Sequence, residues 1–466
     1  MLPTPRNTSA SAHPLARLRK RAGLSHAAYA QLVAAHHAEL GLGTMAARRE
    51  KVARWESGKV TPEPGAQLAM ARLHGVSRAD VLRLGWPHWL QVAGDTEDPF
   101  HAPWDAEGAL RSLHALVGPL ADSADRAFVI CPTALARLAE AWAERDGEVR
   151  PAPTGTGPAL DPLTVRTLEV RRRQIHALYL TEGAATARLL AVTELCVVGE
   201  LLRSRGHGAD ESPELLSAAA GAACLSGWLA YESGEHAFAQ VAFVAAARLS
   251  SLAGHRQLGV WALVLMAAQC VGTGHPAQAL ALLEPVARVC AGPAGPGPRL
   301  ASLVHLARGT ARALTGEVDR ALRHFDEART EYGRPSSGGH PRFTDWFTPD
   351  ALANLIGMGL VHCGLPRRAL ELLGPLVTAA PADGLTPCER ALAQVHMARA
   401  HLALGAWDTA LAHATAAVVF ETSTPTFGVR AQLEALHADL GAHLRVPAVR
   451  AYLDRFADEG TPAAAP

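Results

Sequence analysis

The chain has 466 residues, with 44 Lys and Arg against 44 Asp and Glu and a formal net charge of zero. This length is enough for two or three domains, each with its own core, and the balanced charge excludes a protein that is a polycation throughout. Hydrophobic residues make up 49% of the chain and aromatic residues 5%. Because Ala and Leu, both good helix formers, supply most of the apolar share, we predict an all-α fold.

Charge is distributed unevenly along the chain. Residues 13–90 contain twelve Lys and Arg against five Asp and Glu, and the remaining residues contain 32 against 39. One end of the molecule is therefore predicted to be cationic, which favours a polyanionic partner. The seven cysteines are scattered singly, which indicates small buried side chains in a reducing compartment and no disulfide framework or zinc site.

The chain carries no predicted export or membrane signal. Residues 1–12 lack the apolar core of a signal peptide, so we predict a disordered leader and a cytoplasmic protein. The most apolar stretch, residues 258–268, is far shorter than the roughly 20 residues of a membrane-spanning helix. It is predicted to be a buried helix, and no membrane partner is expected. Residues 457–466 are predicted to be a disordered tail.

Five short helices are predicted within residues 13–84. The first begins near Leu15 and ends at Gly23, and Ser25 is a favourable N-cap for the second. The third covers residues 46–59, the fourth ends at Gly75, and the fifth follows it. The residues expected to face the core are Ala27, Ala28, Tyr29 and Leu32 in the second helix, and Val52 and Trp55 in the third.

Three strings in this region, LRKRAGLS (18–25), VARWESGKVTPEP (52–64) and LHGVS-x-x-x-VLRL (73–84), stand in an order typical of one family. Residues 13–84 resemble the lambda-repressor/Xre-type helix-turn-helix family. The resemblance implies that the third helix lies in the major groove of double-stranded DNA. By position, the resemblance assigns six residues to DNA contacts: Ser25, Arg48, Arg49, Lys51, Arg54 and Lys59. It does not distinguish contacts to bases from contacts to phosphates.

The same resemblance implies structural roles for three further residues. Arg19 and Glu56 are expected to form a partly buried ion pair between the first and third helices, beside Trp55. The link at residues 34–46 is longer than the tight turn usual in the family, so the third helix is predicted to start anywhere from Thr44 to Arg48. The histidines and carboxylate within this link, His36, His37 and Glu39, are interpreted as a solvated loop instead of a metal site.

Residues 85–162 are predicted to be a linker with docking helices. The segment 85–105 is rich in Trp, Pro and Asp, which suits a strip packed on a neighbouring surface, and its tryptophans are interpreted as packing residues. The clearest boundary is residues 147–162, where the density of Pro and Gly excludes regular structure.

Five repeated units are predicted from Pro213 onward. The aligned turn residues are Gly234, Gly274, Gly316, Gly364 and Gly405. The residue five positions later is always Ala, and the residue seven positions earlier is always small: Gly227, Ala267, Gly309, Gly357 and Ala398. Nine positions after each glycine, the apolar residues are Phe243, Leu283, Phe325, Leu373 and Ala414. Small residues at a fixed position let paired helices cross closely.

This pattern resembles the tetratricopeptide repeat. The steps of 40, 42, 48 and 41 residues between glycines exceed the roughly 34 of the standard unit, and loops at 291–298, 333–341 and 380–387 are predicted to absorb the surplus. Residues 163–209 are predicted to form one further helical pair, in which Arg171, Arg172 and Arg173 are interpreted as solvated instead of forming an anion site. The predicted repeat domain is an α-solenoid spanning residues 163–456.

The whole arrangement resembles helix-turn-helix proteins with tetratricopeptide repeats from antibiotic-producing, high-G+C bacteria. The resemblance implies a transcriptional regulator. Some members of that family are tied to secondary metabolism or development, so the resemblance also implies a role of this kind. We expect the repeats to pair two chains and to bind a peptide, small molecule or protein. The alternative is a repeat scaffold whose N-terminal domain does not bind DNA. No nucleophile elbow, phosphate loop, paired-His motif or redox cysteine pair occurs in the sequence, so no enzyme activity, cofactor or metal is predicted.

Overall fold

The computed structural model describes residues 13–21, 24–74, 78, 81–82, 85–91, 102–117, 132–145, 161–204, 212–292, 295–336, 339–379 and 385–458. All regular structure within these ranges is helical, which confirms the predicted all-α class. The predicted leader, most of the boundary at 147–162 and the last eight residues of the predicted tail lie outside them. Among the described residues, no helix combines the length and the apolar character that crossing a bilayer requires.

The helices fall into an N-terminal group, two intermediate helices and a long run of pairs. The N-terminal helices are α1 (Pro14–Arg21), α2 (His26–Glu39), α3 (Arg49–Glu56) and α4 (Pro64–Leu73), followed by a 3-10 turn at His88–Gln91. The intermediate helices are α5 (Ala106–Val117) and α6 (Pro132–Arg145). Of the predicted fifth helix of the N-terminal domain, only residues 78, 81 and 82 are described, and they are helical.

The remaining fourteen helices follow one another with short connections. They are α7 (Pro162–Glu182), α8 (Ala184–Ser204), α9 (Pro213–Glu232), α10 (His236–Leu252), α11 (Arg256–Gly272), α12 (Pro276–Ala291), α13 (Pro298–Leu314), α14 (Val318–Gly333), α15 (Pro349–His362), α16 (Pro366–Thr378), α17 (Pro387–Ala403), α18 (Trp407–Ser423), α19 (Phe427–Gly441) and α20 (Pro447–Asp458). The last helix includes residues 457 and 458, so the predicted disordered tail of 457–466 is wrong for these two residues.

The N-terminal helices enclose one small core. Its fully buried side chains include Leu15, Val33, Val52 and Met70, with Trp89 from the 3-10 turn packed among them. Because Trp89 belongs to this core, the N-terminal unit extends past the predicted boundary at residue 84. The tryptophan indole also donates a hydrogen bond to Gln67 at 3.2 Å.

The inward face of α2 differs from the prediction. Tyr29, Ala30 and Val33 are buried, whereas Ala27 and Leu32 are exposed. Helical periodicity places residues three and four apart on one face. The buried face of α2 is therefore rotated about the helix axis by about one residue from the predicted face. The helix also continues to Glu39, which shortens the predicted link of 34–46 to residues 40–48.

The two intermediate helices pack on the repeated units, as the docking interpretation of residues 85–162 expects. Helix α5 contacts α10, and α6 contacts α12. Arg248 of α10 is buried and donates hydrogen bonds to the carbonyls of Ala102 and Pro103, while its guanidinium lies 4.7 Å from the Trp104 ring centre. Trp142 of α6 is also buried, beside Gly259. These helices therefore cover one side of the pairs.

The paired helices form two layers. The first helices of successive pairs contact each other in sequence, from α7 through α9, α11, α13, α15 and α17 to α19, and each also packs on the second helix of its own pair. The turn glycines Gly234, Gly274, Gly316, Gly364 and Gly405 all have φ between 72° and 81°. This left-handed conformation favours glycine, so the five aligned turns are equivalent in structure as well as in sequence.

The small residue before each turn lies against the large residue after it. A Cβ atom added to Gly227 would lie 2.7 Å from the Phe243 ring, and one added to Gly309 would lie 2.5 Å from Cε1 of Phe325. Gly357 has the same relation to Leu373 at 2.7 Å. In both units that have Phe nine positions after the turn glycine, the residue seven positions before that glycine is Gly. The repeated pattern therefore reflects a close crossing between the two helices of each pair.

The row of pairs curls back on itself. Tyr231 and His236, at the turn between α9 and α10, lie 5.2 and 4.3 Å from the Phe427 ring at the start of α19, measured between ring centres. The Glu232 carboxylate accepts a hydrogen bond from the backbone of Gly428 at 3.5 Å. Burial raises the pKa of Glu232 to about 7, because this contact encloses a carboxyl group among aromatic rings.

The arginine run at residues 171–173 is not a uniformly solvated surface. Arg171 pairs with Glu194 of α8 at 2.7 Å, and Arg172 is half-buried against Gly221 of α9. Arg173 is exposed. The three side chains point in different directions, so they do not form one anion site. Residues 162–204 do form the further helical pair that the sequence predicts.

We predict that Gly309→Ala lowers the free energy of unfolding by about 1–3 kcal/mol, because the new methyl group would force apart Phe325 and α13. The matched control is Gly374→Ala. Gly374 lies within α16 with no atom within 4 Å of an added Cβ. Because the gain in helix propensity is offset by the restriction that Pro375 places on the residue before it, this change is expected to alter the free energy of unfolding by less than about 1 kcal/mol. Urea denaturation followed by circular dichroism measures both. Equal shifts for the two variants would contradict the close crossing.

Candidate nucleic-acid interface

Helix α3 buries one face and exposes a basic one. Val52 and Trp55 are 0% and 5% exposed and belong to the N-terminal core, as predicted. The cations that the sequence assigned to DNA contacts, Arg48, Arg49, Lys51, Arg54 and Lys59, are all exposed. Arg48 is the N-cap residue and α3 begins at Arg49, one residue beyond the predicted range of start positions from Thr44 to Arg48, so the helix is shorter than the predicted 46–59.

The exposed cations are largely available for an external partner. Within the described residues, the side chains of Arg48, Lys51, Arg54 and Lys59 form no ion pair. Arg49 contacts only its chain neighbour Glu50, at 3.0 Å, and both side chains are more than half exposed, at 75% and 64%. Surface pairs of this kind contribute little to stability. An incoming phosphate could therefore replace Glu50 as the partner of Arg49 at low cost.

Glu50 is a residue that the sequence interpretation missed. It lies on the outward face of α3, about a turn before Arg54 and beside Arg49. A backbone hydrogen bond and the hydrogen bond from Arg49 hold its pKa below the ordinary value, so it is an anion at neutral pH. A carboxylate in the middle of a basic helix face would repel phosphate but can accept a hydrogen bond from the amino group of cytosine.

Glu56 anchors the inner side of the same helix. Its carboxylate accepts hydrogen bonds from Nε and Nη2 of Arg19 at 2.6 and 3.0 Å, and the Arg19 and Glu56 side chains are only 9% and 10% exposed. Arg19 Nη1 also donates to the carbonyl of Leu24 at 2.7 Å. The predicted ion pair between Arg19 and Glu56 is therefore present, and it links α1 to α3 through a bidentate contact.

A third group completes this anchor. His26, the first residue of α2, lies 2.8 Å from Oε2 of Glu56, a contact that the sequence interpretation did not include. Although burial raises the pKa of Glu56, the hydrogen bonds from Arg19 and His26 hold it below its usual value. The hydrogen bond to Glu56 also stabilises the charged form of Arg19 and so raises the pKa of Arg19. The Glu56 carboxylate, at the end of α3, therefore links α3 both to α1 and to the start of α2.

Ser25 is exposed at the start of α2, where its hydroxyl accepts a hydrogen bond from the backbone N–H of Ala28 at 3.2 Å. Its N-cap role is as predicted. The first backbone N–H groups of a helix carry partial positive charge and favour anions. Ser25 thus marks a helix end that adds to the basic character of the N-terminal unit without supplying a formal charge.

The histidines near the α2–α3 link do not converge. His36 Nδ1 lies 3.0 Å from Glu39, while His37 Nδ1 lies 3.0 Å from the carbonyl of Gly43. Arg72 also approaches Glu39, at 3.5 Å. Because His37 is held by the loop backbone and Glu39 faces a cation, these residues do not present three ligand atoms to one point.

Comparison with known proteins gives no independent assignment for this surface. No protein-family model matches the chain, and no curated protein shows significant sequence similarity to it.

We predict that Glu56→Ala destabilises the N-terminal unit by about 3–5 kcal/mol, because it leaves Arg19 buried without its carboxylate partner. Hydrogen exchange measured by mass spectrometry on peptides from residues 14–73 reports the loss. Glu50→Ala, on the exposed side of the same helix, is the matched control and should leave the protection of these peptides essentially unchanged. Unchanged protection in Glu56→Ala would remove the anchor role.

Proposed function

We propose that this protein is a sequence-specific DNA-binding transcriptional regulator that acts in the cytoplasm. In this proposal, α2 and α3 form a helix-turn-helix motif, α3 is the recognition helix, and α7–α20 form a tetratricopeptide-repeat-like α-solenoid. The observation that carries the proposal is the division of α3 into two faces. One face is locked into the core by Val52, Trp55 and Glu56, and the other carries exposed arginine and lysine side chains.

The arrangement of charges favours DNA over other anionic partners. Cations at residues 48, 49, 51 and 54 lie along little more than one turn and a half of helix, a length that fits the major groove. Arginine pairs in a bidentate manner with guanine, and any of these cations can instead hold phosphate. Ser25 at the start of α2 and Lys59 after α3 are proposed to contact the backbone, which would fix the register of the helix.

Regulation requires a second part that responds to a signal. We propose that the repeat domain pairs two chains and binds an effector or partner protein, which would change the spacing of two DNA-binding units. Roles in secondary metabolism or development rest on the family resemblance alone. Support for pairing comes from the outer surface of α7 and α8, which carries five of the fourteen exposed large apolar side chains of the described residues: Leu163, Val170, Leu189, Leu190 and Val197.

We predict that DNA affinity depends steeply on salt and on the α3 arginines. The log of the binding constant should fall by about 0.9 per log unit of salt for each phosphate neutralised. Arg49→Ala/Arg54→Ala should weaken binding at least about tenfold and reduce this slope, since each bidentate base contact is worth about 1–3 kcal/mol. Fluorescence anisotropy on duplexes selected from a random pool by the unmodified protein measures both quantities.

The control for charge is Arg320→Ala/Arg329→Ala on α14, which removes two exposed arginines from the repeat domain. This variant should retain the affinity and the salt slope. Failure to select any duplex, or a salt-independent interaction, would support a repeat scaffold whose N-terminal unit does not bind DNA. If DNA binding is observed, genome-wide mapping of bound chromosomal sites would identify the operator, with the Arg49→Ala/Arg54→Ala variant as the negative control.

We predict that the chain is a dimer and that Leu189→Glu/Leu190→Glu makes it a monomer, because two carboxylates would be placed in the proposed apolar contact on α8. Sedimentation equilibrium measures the mass. Val419→Glu on α18 is the matched control, since Val419 is 65% exposed and Leu189 is 68% exposed; this variant should remain dimeric. A monomeric unmodified protein at micromolar concentration would remove the pairing but leave the DNA-binding proposal intact.

A further inference from the structure

Three side chains of metal-binding type meet between α13 and α14. His305 lies on α13, and His324 and Glu327 lie one turn apart on α14. The two Nδ1 atoms are 3.3 Å apart, and Oε2 of Glu327 lies 2.9 Å from Nδ1 of His305 and 2.8 Å from Nδ1 of His324. Nineteen residues separate the two histidines in the chain, so only the pairing of the helices brings them together.

We propose that His305, His324 and Glu327 form a binding site for a divalent transition-metal ion of the zinc class. The ligands are two imidazole nitrogens and one carboxylate oxygen, a set that suits Zn²⁺, Co²⁺ or Ni²⁺ better than Ca²⁺ or Mg²⁺. Three protein ligands leave at least one position open, which water or a donor atom of a bound molecule would occupy. This inference goes beyond DNA binding and does not depend on it.

The spacing of the three atoms fits one shared ion. Zinc binds imidazole nitrogen and carboxylate oxygen at about 2.0–2.2 Å, so two such ligands at tetrahedral or octahedral angles lie about 2.8–3.6 Å from each other. The observed separations of 2.8, 2.9 and 3.3 Å are within this range, two of them at its lower end. A shift of a few tenths of an ångström, within the freedom of the half-exposed Glu327 side chain, would admit the ion.

The helix pair holds the ligands in place beneath the site. Ser302 of α13 donates a hydrogen bond to the buried carbonyl of Ala328 at 2.8 Å. One turn beyond His305, Gly309 lies against the Phe325 ring, which follows His324 in the chain. These contacts fix α13 and α14 relative to each other on both sides of the histidines. A preformed ligand set reduces the ordering cost of binding.

The charge state of the site also favours a cation. A neutral imidazole offers one unprotonated nitrogen to a metal, and the Nδ1 atoms of both His305 and His324 lie beside the Glu327 carboxylate. Without metal, Oε2 of Glu327 accepts an N–H from either ring. With metal, the proton of each ring sits on Nε2. Arg308, which pairs with Glu284 at 2.9 Å, lies nearby and opposes binding, whereas Glu331 attracts a cation.

The test is titration of the full chain with ZnCl₂ by isothermal calorimetry at pH 7.5. We expect saturable binding of one ion by this site, lost in His305→Ala/His324→Ala and weakened in Glu327→Gln. Loss of an outer-sphere partner costs about 10–100-fold in affinity, so loss of one direct ligand should cost about 100-fold or more. Circular dichroism melting verifies that each variant folds.

The matched control is His36→Ala/Glu39→Gln in α2, which removes a histidine and a carboxylate with the same three-residue spacing. This variant should bind Zn²⁺ as the unmodified chain does. The proposal fails if the unmodified chain takes up no zinc stoichiometrically, or if the folded His305→Ala/His324→Ala variant binds the ion as tightly as the unmodified chain. Charge-conserving His305→Gln provides a second variant should the alanine changes unfold the pair.

Discussion

The close crossing of two helices within each pair is the constraint on which the larger part of this molecule depends. Where Phe243 and Phe325 occupy the second helix, only a residue without a Cβ fits opposite them, and Gly227 and Gly309 occupy those positions. The separation of the helices then sets how successive pairs stack and where the row closes between α9 and α19. The same separation brings His305 within reach of α14, so a packing rule also determines the spacing of the candidate metal ligands.

In the N-terminal unit, one buried carboxylate has a comparable role. Glu56 is expensive to bury and is stabilised only because Arg19 and His26 both donate to it. Those two donors come from different helices, so satisfying a single charge fixes the orientation of α3. With Glu56, Val52 and Trp55 turned inward, helical geometry leaves residues 49, 50, 51 and 54 facing outward. Stability and the proposed recognition are thus assigned to opposite sides of one short helix.

Much of this arrangement could be predicted from the sequence, and the failures have physical causes. The turn glycines, the small residue before them and the pairing of Arg19 with Glu56 follow from local spacing or family resemblance. The inward face of α2 was misjudged because Ala is abundant and gives little contrast between a buried and an exposed stripe. The contact between His305 and His324 could not be predicted from the sequence, because it depends on how two helices pack and no local motif indicates it.

The uneven charge gives the proposed DNA complex a preferred orientation. Residues 13–90 carry a formal charge of +7 and the remaining residues −7, from twelve against five and 32 against 39 charged side chains. At physiological salt the screening length is about 8 Å, so this asymmetry acts only once the surfaces are close. An approach through the repeat domain would bring acidic side chains against phosphate, whereas an approach through α3 meets exposed cations, of which only Arg49 has an ion-pair partner among the described residues. Electrostatics would therefore reject wrong orientations at short range, and base contacts of α3 would have to supply the sequence preference.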